Sequence, residues 1–379
     1  MKYDRKTLLN LIVLVFAPLL LAGCQYKQTS FEEIISKQLI ENSEKHGISV
    51  QELVVIHNQN ILFNGHLDLS DKHGIKNKER IFPIYSVAKL FANTLVMQLY
   101  EEGKLDLSAP ASTYVPSLPY SWRNIQVIQF LNHSSGVPEY YEVIDGKVLY
   151  PTSQTETFDR LKSQPLNFEP DTETRYTQTN YLVIKRVIES VTNSTYRKLV
   201  ESRIYQPLGL QNTWLGRKGV PRERIVPLNN IRNEHVNVDA FPEYAISHAD
   251  AYSTIADLCT FLTGLTSGKL VSKRTLVKLW QPYALQSNKV GGFSSGWNYD
   301  RIGTWNAIGH DGGGVVRARV LFKNTLDDHY IIIYLTNDNK DGVWSRTLVD
   351  SIQQHVLPDL YIRLYSKLRY LYLSFRLAI

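Results

Sequence analysis

The segment Ile84-Tyr85-Ser86-Val87-Ala88-Lys89 sets a hydroxyl and a primary amine three positions apart at the start of an apolar run. Val87, Leu90, Leu95 and Leu99 recur at helical intervals, Pro83 stands just upstream and Gly103 closes the run, which predicts a helix here. Ser86 is expected in its first turn, with Lys89 on the same face. A serine hydroxyl is a poor nucleophile at neutral pH and needs a proton acceptor within hydrogen-bond reach. A lysine amine serves when burial and the positive end of a helix lower its pKa, and that helix end offers backbone N–H groups to a developing oxyanion. Ser-x-x-Lys arises about once by chance in a chain of this size, usually on a solvated face, so the tetrad takes its meaning from its surroundings.

Upstream, Ile48 to Ile56 and Ile61 to Leu67 read as strands joined by the hairpin His57-Asn58-Gln59-Asn60, and Phe31 to Ile40 is spaced as a helix. Downstream, residues 108–245 hold most of the proline punctuation and the helical stretches 125–132, 181–191 and 196–204. Ala256 to Leu265 and Lys273 to Trp280 read as helices, Val315 to Phe322 and Tyr330 to Thr336 as strands, and Thr347 to His355 as a closing helix. Strands near both ends with helices between predict an α/β (α+β) fold: one sheet from the two chain ends, flanked by helices, with an inserted, mainly helical lobe.

The outermost segments carry targeting signals. Lys2, Arg5 and Lys6 precede the apolar run Leu8 to Leu21, which closes on Leu21-Ala22-Gly23-Cys24. The pattern resembles a bacterial lipoprotein signal, cut before a lipidated Cys24, and fourteen residues is short for a spanning helix. Residues 1–23 are then signal peptide, 24–44 tether and first helix, 45–355 the main domain with its lobe at about 108–245, and 356–379 a tail. In the tail Leu360, Leu364, Leu368, Leu371 and Phe375 share a helical face while Arg363, Lys367, Arg369 and Arg376 lie off it, as in a membrane-surface helix or one packed on the body. The expected place is a membrane-anchored lipoprotein, periplasmic or at the cell surface, and on the outer membrane of a double-membrane bacterium because Gln25 follows the cysteine. Cys259, the other cysteine, is expected as a small buried hydrophobe.

The net charge of +6 is partly the signal's own, and no basic stripe interleaved with aromatics marks a nucleic-acid surface. The histidines are scattered without a His-Glu-x-x-His, so neither metal nor cofactor is expected.

Further motifs follow Ser86 in order: Leu131-Asn132-His133-Ser134-Ser135-Gly136-Val137-Pro138, Phe168-Glu169-Pro170-Asp171 with Tyr176-Thr177-Gln178, Gln206-Pro207-Leu208-Gly209-Leu210 with Thr213-Trp214, Ser253 to Leu258, and Gly309-His310-Asp311-Gly312-Gly313. Together they resemble the serine β-lactamase superfamily, in its class C β-lactamase, DD-peptidase and esterase branch, from about Ile48 to His355. The resemblance implies a β-lactamase/transpeptidase-like fold with an antiparallel sheet. It makes Ser86 the acylated nucleophile, with Lys89 and Tyr176 in proton transfer, the phenol's pKa lowered by nearby cations. The N–H groups of Ser86 and Gly313 would form the oxyanion hole, Gly312 and Gly313 letting the following strand approach the substrate.

Departures from the family pattern bear on substrate. Gln178 stands where Asn is usual and keeps its amide only if the backbone accommodates one more methylene. His310 replaces a lysine and would make cleft charge vary near neutral pH. Asp311 replaces a Thr or Ser that helps bind substrate carboxylates; an anion there repels them unless Arg317 or Arg319 compensates, and those two share a face that could be solvent. Asp171 for Gly implies a different turn.

The expected function is a serine hydrolase acting through an acyl-enzyme on ester, amide or β-lactam carbonyls of a small-molecule or peptide substrate, with ester or uncharged amide favoured. The alternatives are a peptidoglycan DD-carboxypeptidase or penicillin-binding protein, and a catalytically silent binding or regulatory lipoprotein.

Overall fold

The computed structural model describes residues 30–69, 80–145, 147–227, 241–313, 315–337 and 343–357, with single positions 364, 367, 368, 371 and 372 beyond. The signal segment, Cys24 and most of the tail lie outside the described residues. The tail positions Leu364, Leu368, Leu371 and Tyr372 are exposed.

Helix α1 (Phe31–His46) starts at a capping box, Ser30 accepting from the Glu33 N–H while the Glu33 side chain answers the Ser30 N–H, and stops at left-handed Gly47. Strands β1 (Val50–His57) and β2 (Asn60–Asp68) form the expected hairpin, turning at Asn58 with φ 57°. β3 (Phe82–Pro83) leads into a 3-10 turn, Tyr85–Ala88, before α2 (Lys89–Glu101). Ser86 therefore stands in a 3-10 turn just ahead of the α-helix rather than in its first turn.

The lobe contains α3 (Val127–Leu131), the hairpin β4 (Glu142–Ile144) and β5 (Lys147–Leu149), α4 (Gln154–Leu161), α5 (Thr179–Thr192), α6 (Tyr196–Val200), α7 (Gln206–Leu208) and β6 (Thr213–Leu215). β7 (Ala251–Ser253) joins β3 and β6 in a small three-stranded sheet at the base of the Ser86 turn. Helices α8 (Ile255–Thr266) and α9 (Lys273–Leu279) follow.

The chain then returns as β8 (Phe293–Ser294), β9 (Trp297–Ile302), β10 (Trp305–Gly312), β11 (Val316–Phe322) and β12 (His329–Thr336), and closes with α10 (Ser345–Val356). Sequence periodicity found β11 and β12 but not β8 to β10. The glycine-rich motif, expected just before a strand, is the end of β10. The seven-stranded antiparallel sheet runs β2-β1-β12-β11-β10-β9-β8, so the N-terminal hairpin docks onto the C-terminal strands through β1 and β12.

Both faces of this sheet are covered. Val50, Val54 and Ile56 point toward α2 and the lobe, sharing a core with Leu90, Leu95 and Val183, while Leu53 and Val55 point the other way, against Ile35, Leu348 and Ile352 of α1 and α10. Burying each such side chain contributes roughly 1.5–3 kcal/mol, so alternation along β1 ties two layers to one strand.

Candidate active site

The Ser86 turn is held between two sheets under visible backbone constraint. Tyr85, immediately before the serine, has φ 45°, a left-handed conformation that costs a non-glycine residue about 1–3 kcal/mol. The end of β10 presses on this turn. A Cβ at Gly312 would lie 2.2 Å from the Ile84 carbonyl oxygen, and one at Gly313 would lie 2.8 Å from the Tyr85 ring. Only glycines allow so close an approach. Gly313 lines the same cleft as Ser86.

Two groups meet at the Ser86 hydroxyl, one from the following turn and one from a distant segment. Lys89 Nζ is 3.1 Å from Ser86 Oγ, and Tyr176 donates from its hydroxyl to the same oxygen at 2.8 Å. Lys89 Nζ also lies 2.7 Å from Gln178 Oε1 and 2.6 Å from the His248 carbonyl. The longer Gln178 side chain thus keeps the amide contact. It does so at the N-cap of α5, a helix end fixed by Glu139, whose carboxylate accepts the Gln178 N–H at 2.9 Å.

Protonation follows from burial. Lys89 is fully buried, and desolvation holds its amine well below the usual lysine range despite the opposing pull of Glu139. With Gln178 Oε1 and the His248 carbonyl taking two N–H groups, loss of the third proton would leave a lone pair toward Ser86. Tyr176 exposes part of its ring to the cleft, yet desolvation raises its hydroxyl above the ordinary phenol value. The expected lowering of the phenol is therefore corrected: the described neighbours supply no stable pair of cations, and the one amine within reach is itself disfavoured as an ammonium.

His310 is corrected in the same way. It is 3% exposed, and burial above all lowers its pKa to about 3, so it is neutral around pH 7. Its Nδ1 lies 2.7 Å from the Asp311 carbonyl, which makes Nδ1 the protonated nitrogen. The buried Nε2 has no partner among the described residues.

Asp311 is not the isolated anion the sequence suggested. Arg317 reaches it at 2.5 Å and Arg319 at 3.4 Å, and both arginines are buried rather than solvent-facing. Burial alone would raise the Asp311 carboxyl, but the two guanidiniums hold it below the usual carboxylate range. Asp171 sits at φ 65°, as a glycine would, pinned by Ser134 (2.6 Å), Gln129 (2.7 Å) and Tyr283 (2.8 Å).

The cleft, about 470 Å³, is lined by Ser86, Tyr176, Phe293, Asn298, His310, Asp311, Gly313 and Trp344. Phe293, Asn298 and Trp344 escaped sequence reasoning, as did Glu139, although Glu139 directly follows the recognised Leu131–Pro138 motif. The His248 contact runs through a backbone carbonyl and leaves no trace in residue type. Among the described residues no group of acidic, histidine or cysteine side chains could hold a metal ion. Cys259 is half-buried and its thiol is pushed up to about 12 by desolvation.

An antiparallel sheet edge facing a helical lobe, with this cleft between, defines a β-lactamase/transpeptidase-like protein. The family model described as Beta-lactamase matches residues 35–352, and the chain belongs to that family of serine hydrolases. It is 21% identical over 313 residues to penicillin-binding protein 4* of Bacillus subtilis, covering 77% of this chain and 68% of that one. A putative D-alanyl-D-alanine carboxypeptidase of Salmonella typhimurium is 28% identical over 144 residues, or 35% of this chain and 33% of that protein. Among solved structures, an octameric penicillin-binding protein homologue from Pyrococcus abyssi aligns with TM-score 0.68 at 19% identity, covering 83% of this chain and 74% of the other. The D-amino acid amidase of Ochrobactrum anthropi SV3 aligns with TM-score 0.67 at 21% identity, covering 89% of this chain and 100% of that one. At these identities the structural likenesses speak for the fold.

Proposed function

We propose that the protein hydrolyses ester or amide carbonyls through an acyl-enzyme on Ser86. The observation that carries this reading is the Ser86 hydroxyl held between the Lys89 amine at 3.1 Å and the Tyr176 phenol at 2.8 Å. Neutral Lys89 takes the hydroxyl proton as Ser86 Oγ bonds to the substrate carbonyl carbon. The N–H groups of Ser86 and Gly313 receive the oxyanion; loss of one such donor typically costs about 3 kcal/mol. As the tetrahedral intermediate collapses, the Tyr176 phenol gives its proton to the leaving group, and the Lys89 ammonium then reprotonates the phenolate. Water repeats the sequence to release the acid and restore Ser86.

A fluorophosphonate, a labelled penicillin and short-chain nitrophenyl esters test this on the mature protein and on Ser86→Ala. The expected result is an adduct on Ser86 and ester turnover that falls by at least about 10³ in the variant. Absence of any adduct, with turnover untouched by the substitution, overturns the enzyme reading in favour of a silent binding protein. The names of the Bacillus and Salmonella relatives support a second reading, a peptidoglycan peptidase. Slow penicillin labelling without turnover would favour it.

The Leu21 to Cys24 segment supports a lipid anchor on Cys24 that leaves the body at a membrane surface, periplasmic or external, with the tail as a second contact. Among the described residues no helix is long and apolar enough to cross a membrane. Labelled palmitate incorporated by the wild type and lost in Cys24→Ala would support the anchor; unchanged labelling would overturn it.

A further inference from the structure

Strand β9 accompanies β10 only as far as the Asn298–Gly309 pair, so His310, Asp311 and Gly312 have β11 on one side and the open cleft on the other. Alternation sends His310 toward Tyr176 and Phe293, and Asp311 to the opposite face, beside its β11 partner Arg317. Because the sheet is open here, Asp311 also lines the cleft, as Gly313 and Trp344 do.

The charges at this wall are layered. The Asp311 side chain is 20% exposed, whereas those of Arg317 and Arg319 are 4% exposed. Oδ1 takes Arg317 and Arg319, while Oδ2 takes Arg319 alone, at 3.4 Å. A carboxylate has about four acceptor sites, so Oδ2 retains one for a ligand. Within electrostatic reach of Arg319, the more exposed Arg346 pairs with Asp300 at 2.7 Å. A substrate touching this wall thus meets an acceptor oxygen, while the potential beneath it comes from Arg317 and Arg319 set against Asp311 and against buried Asp350, whose carboxyl desolvation raises to about 7.

We propose that Asp311 is a specificity-determining residue that takes a neutral hydrogen-bond donor, a carboxamide N–H or a hydroxyl, on the part of the substrate that passes the β10 edge. A free carboxylate there is repelled at contact by Oδ2 and cannot reach the arginines beneath it. A free ammonium would satisfy Oδ2, but it is opposed by the two guanidiniums below, which Asp350, half protonated near pH 7, offsets only in part. This inference rests on the Ser86 hydrolase reading, since that reading places the substrate carbonyl at the Gly313 N–H, next to the β10 edge.

Three matched compounds test it: N-acetyl-D-alanyl-D-alanine, its C-terminal carboxamide, and the analogue ending in an aminomethyl group. Each is titrated for protection of Ser86 against a fluorophosphonate. The carboxamide is expected to protect at a concentration at least about tenfold below either charged compound. Asp311→Ser, which leaves the two arginines uncompensated, is expected to turn the preference toward the carboxylate; Asp311→Asn, of the same shape, is expected to narrow the gap. Equal protection by all three, better protection by a charged compound, or none by any, overturns the proposal. The wild-type ranking decides even if both variants fail to fold. If the fluorophosphonate never labels Ser86, the hydrolase reading fails, and the same ranking, read from shifts in Tm, still decides the role of Asp311.

Discussion

The hydroxyl of Tyr176 lies 2.8 Å from Ser86 Oγ across 90 positions of sequence and donates to it, while the Lys89 amine approaches the same oxygen from the following turn. With the phenol raised and the amine lowered, the two groups divide the work as acid and base. Tyr176→Phe should therefore slow alkyl esters and amides at least about tenfold more than nitrophenyl esters, whose leaving group departs without a proton. Lys89→Met should slow both classes alike. Turnover of paired substrates by the two variants checks this, and equal losses in Tyr176→Phe would remove the acid role.

His310 carries no charge over the working range, with its pKa lowered to about 3. The limbs of kcat/KM between about pH 5 and 8 should keep their positions in His310→Gln, whatever happens to the height of the curve. A limb that disappears in the variant would mean that the imidazole titrates after all.

Glu139 draws a proton toward Lys89 by its charge. Removing that charge in Glu139→Gln lowers the amine's pKa further, so the limb along which activity rises as Lys89 deprotonates should move to lower pH. A pH profile of kcat/KM in both proteins reads the shift. A structural role alone would lower the curve without moving it.

Gly312 leaves no space for a side chain, its Cβ position being 2.2 Å from the Ile84 carbonyl and 2.5 Å from Val316 Cγ2. Gly312→Ala should push the β10 edge off the Ser86 turn and slow fluorophosphonate labelling by about 10² or more. Labelling at the wild-type rate would show that the strand does not set the hole.

Asp171 combines a left-handed backbone with three hydrogen bonds to Ser134, Gln129 and Tyr283. Asp171→Gly should lose about 2 kcal/mol or more, and Asp171→Ala about 1 kcal/mol beyond that, since alanine keeps the backbone cost. Urea unfolding of both variants measures the order; alanine as the milder change would mean that the turn relaxes.

The sequence by itself determined the elements whose physics is local. Helical spacing after Ser86, the β-rich runs of β1 and β2 around a hairpin and the paired glycines at 312 and 313 are patterns over a few residues, and they located the nucleophile's turn and the sheet drawn from both chain ends. β8 to β10 stayed hidden because β8 is two residues long and β9, Trp-Asn-Tyr-Asp-Arg-Ile, mixes charged, polar and aromatic side chains without a clear apolar alternation. Tertiary structure alone decided the charge states. Burial lowers the Lys89 amine and the His310 imidazole and raises the Tyr176 phenol, and pairing with Arg317 and Arg319 holds Asp311 below the usual carboxylate range. A pKa depends on the water removed and the charges brought near, and both are set by segments far apart in the chain.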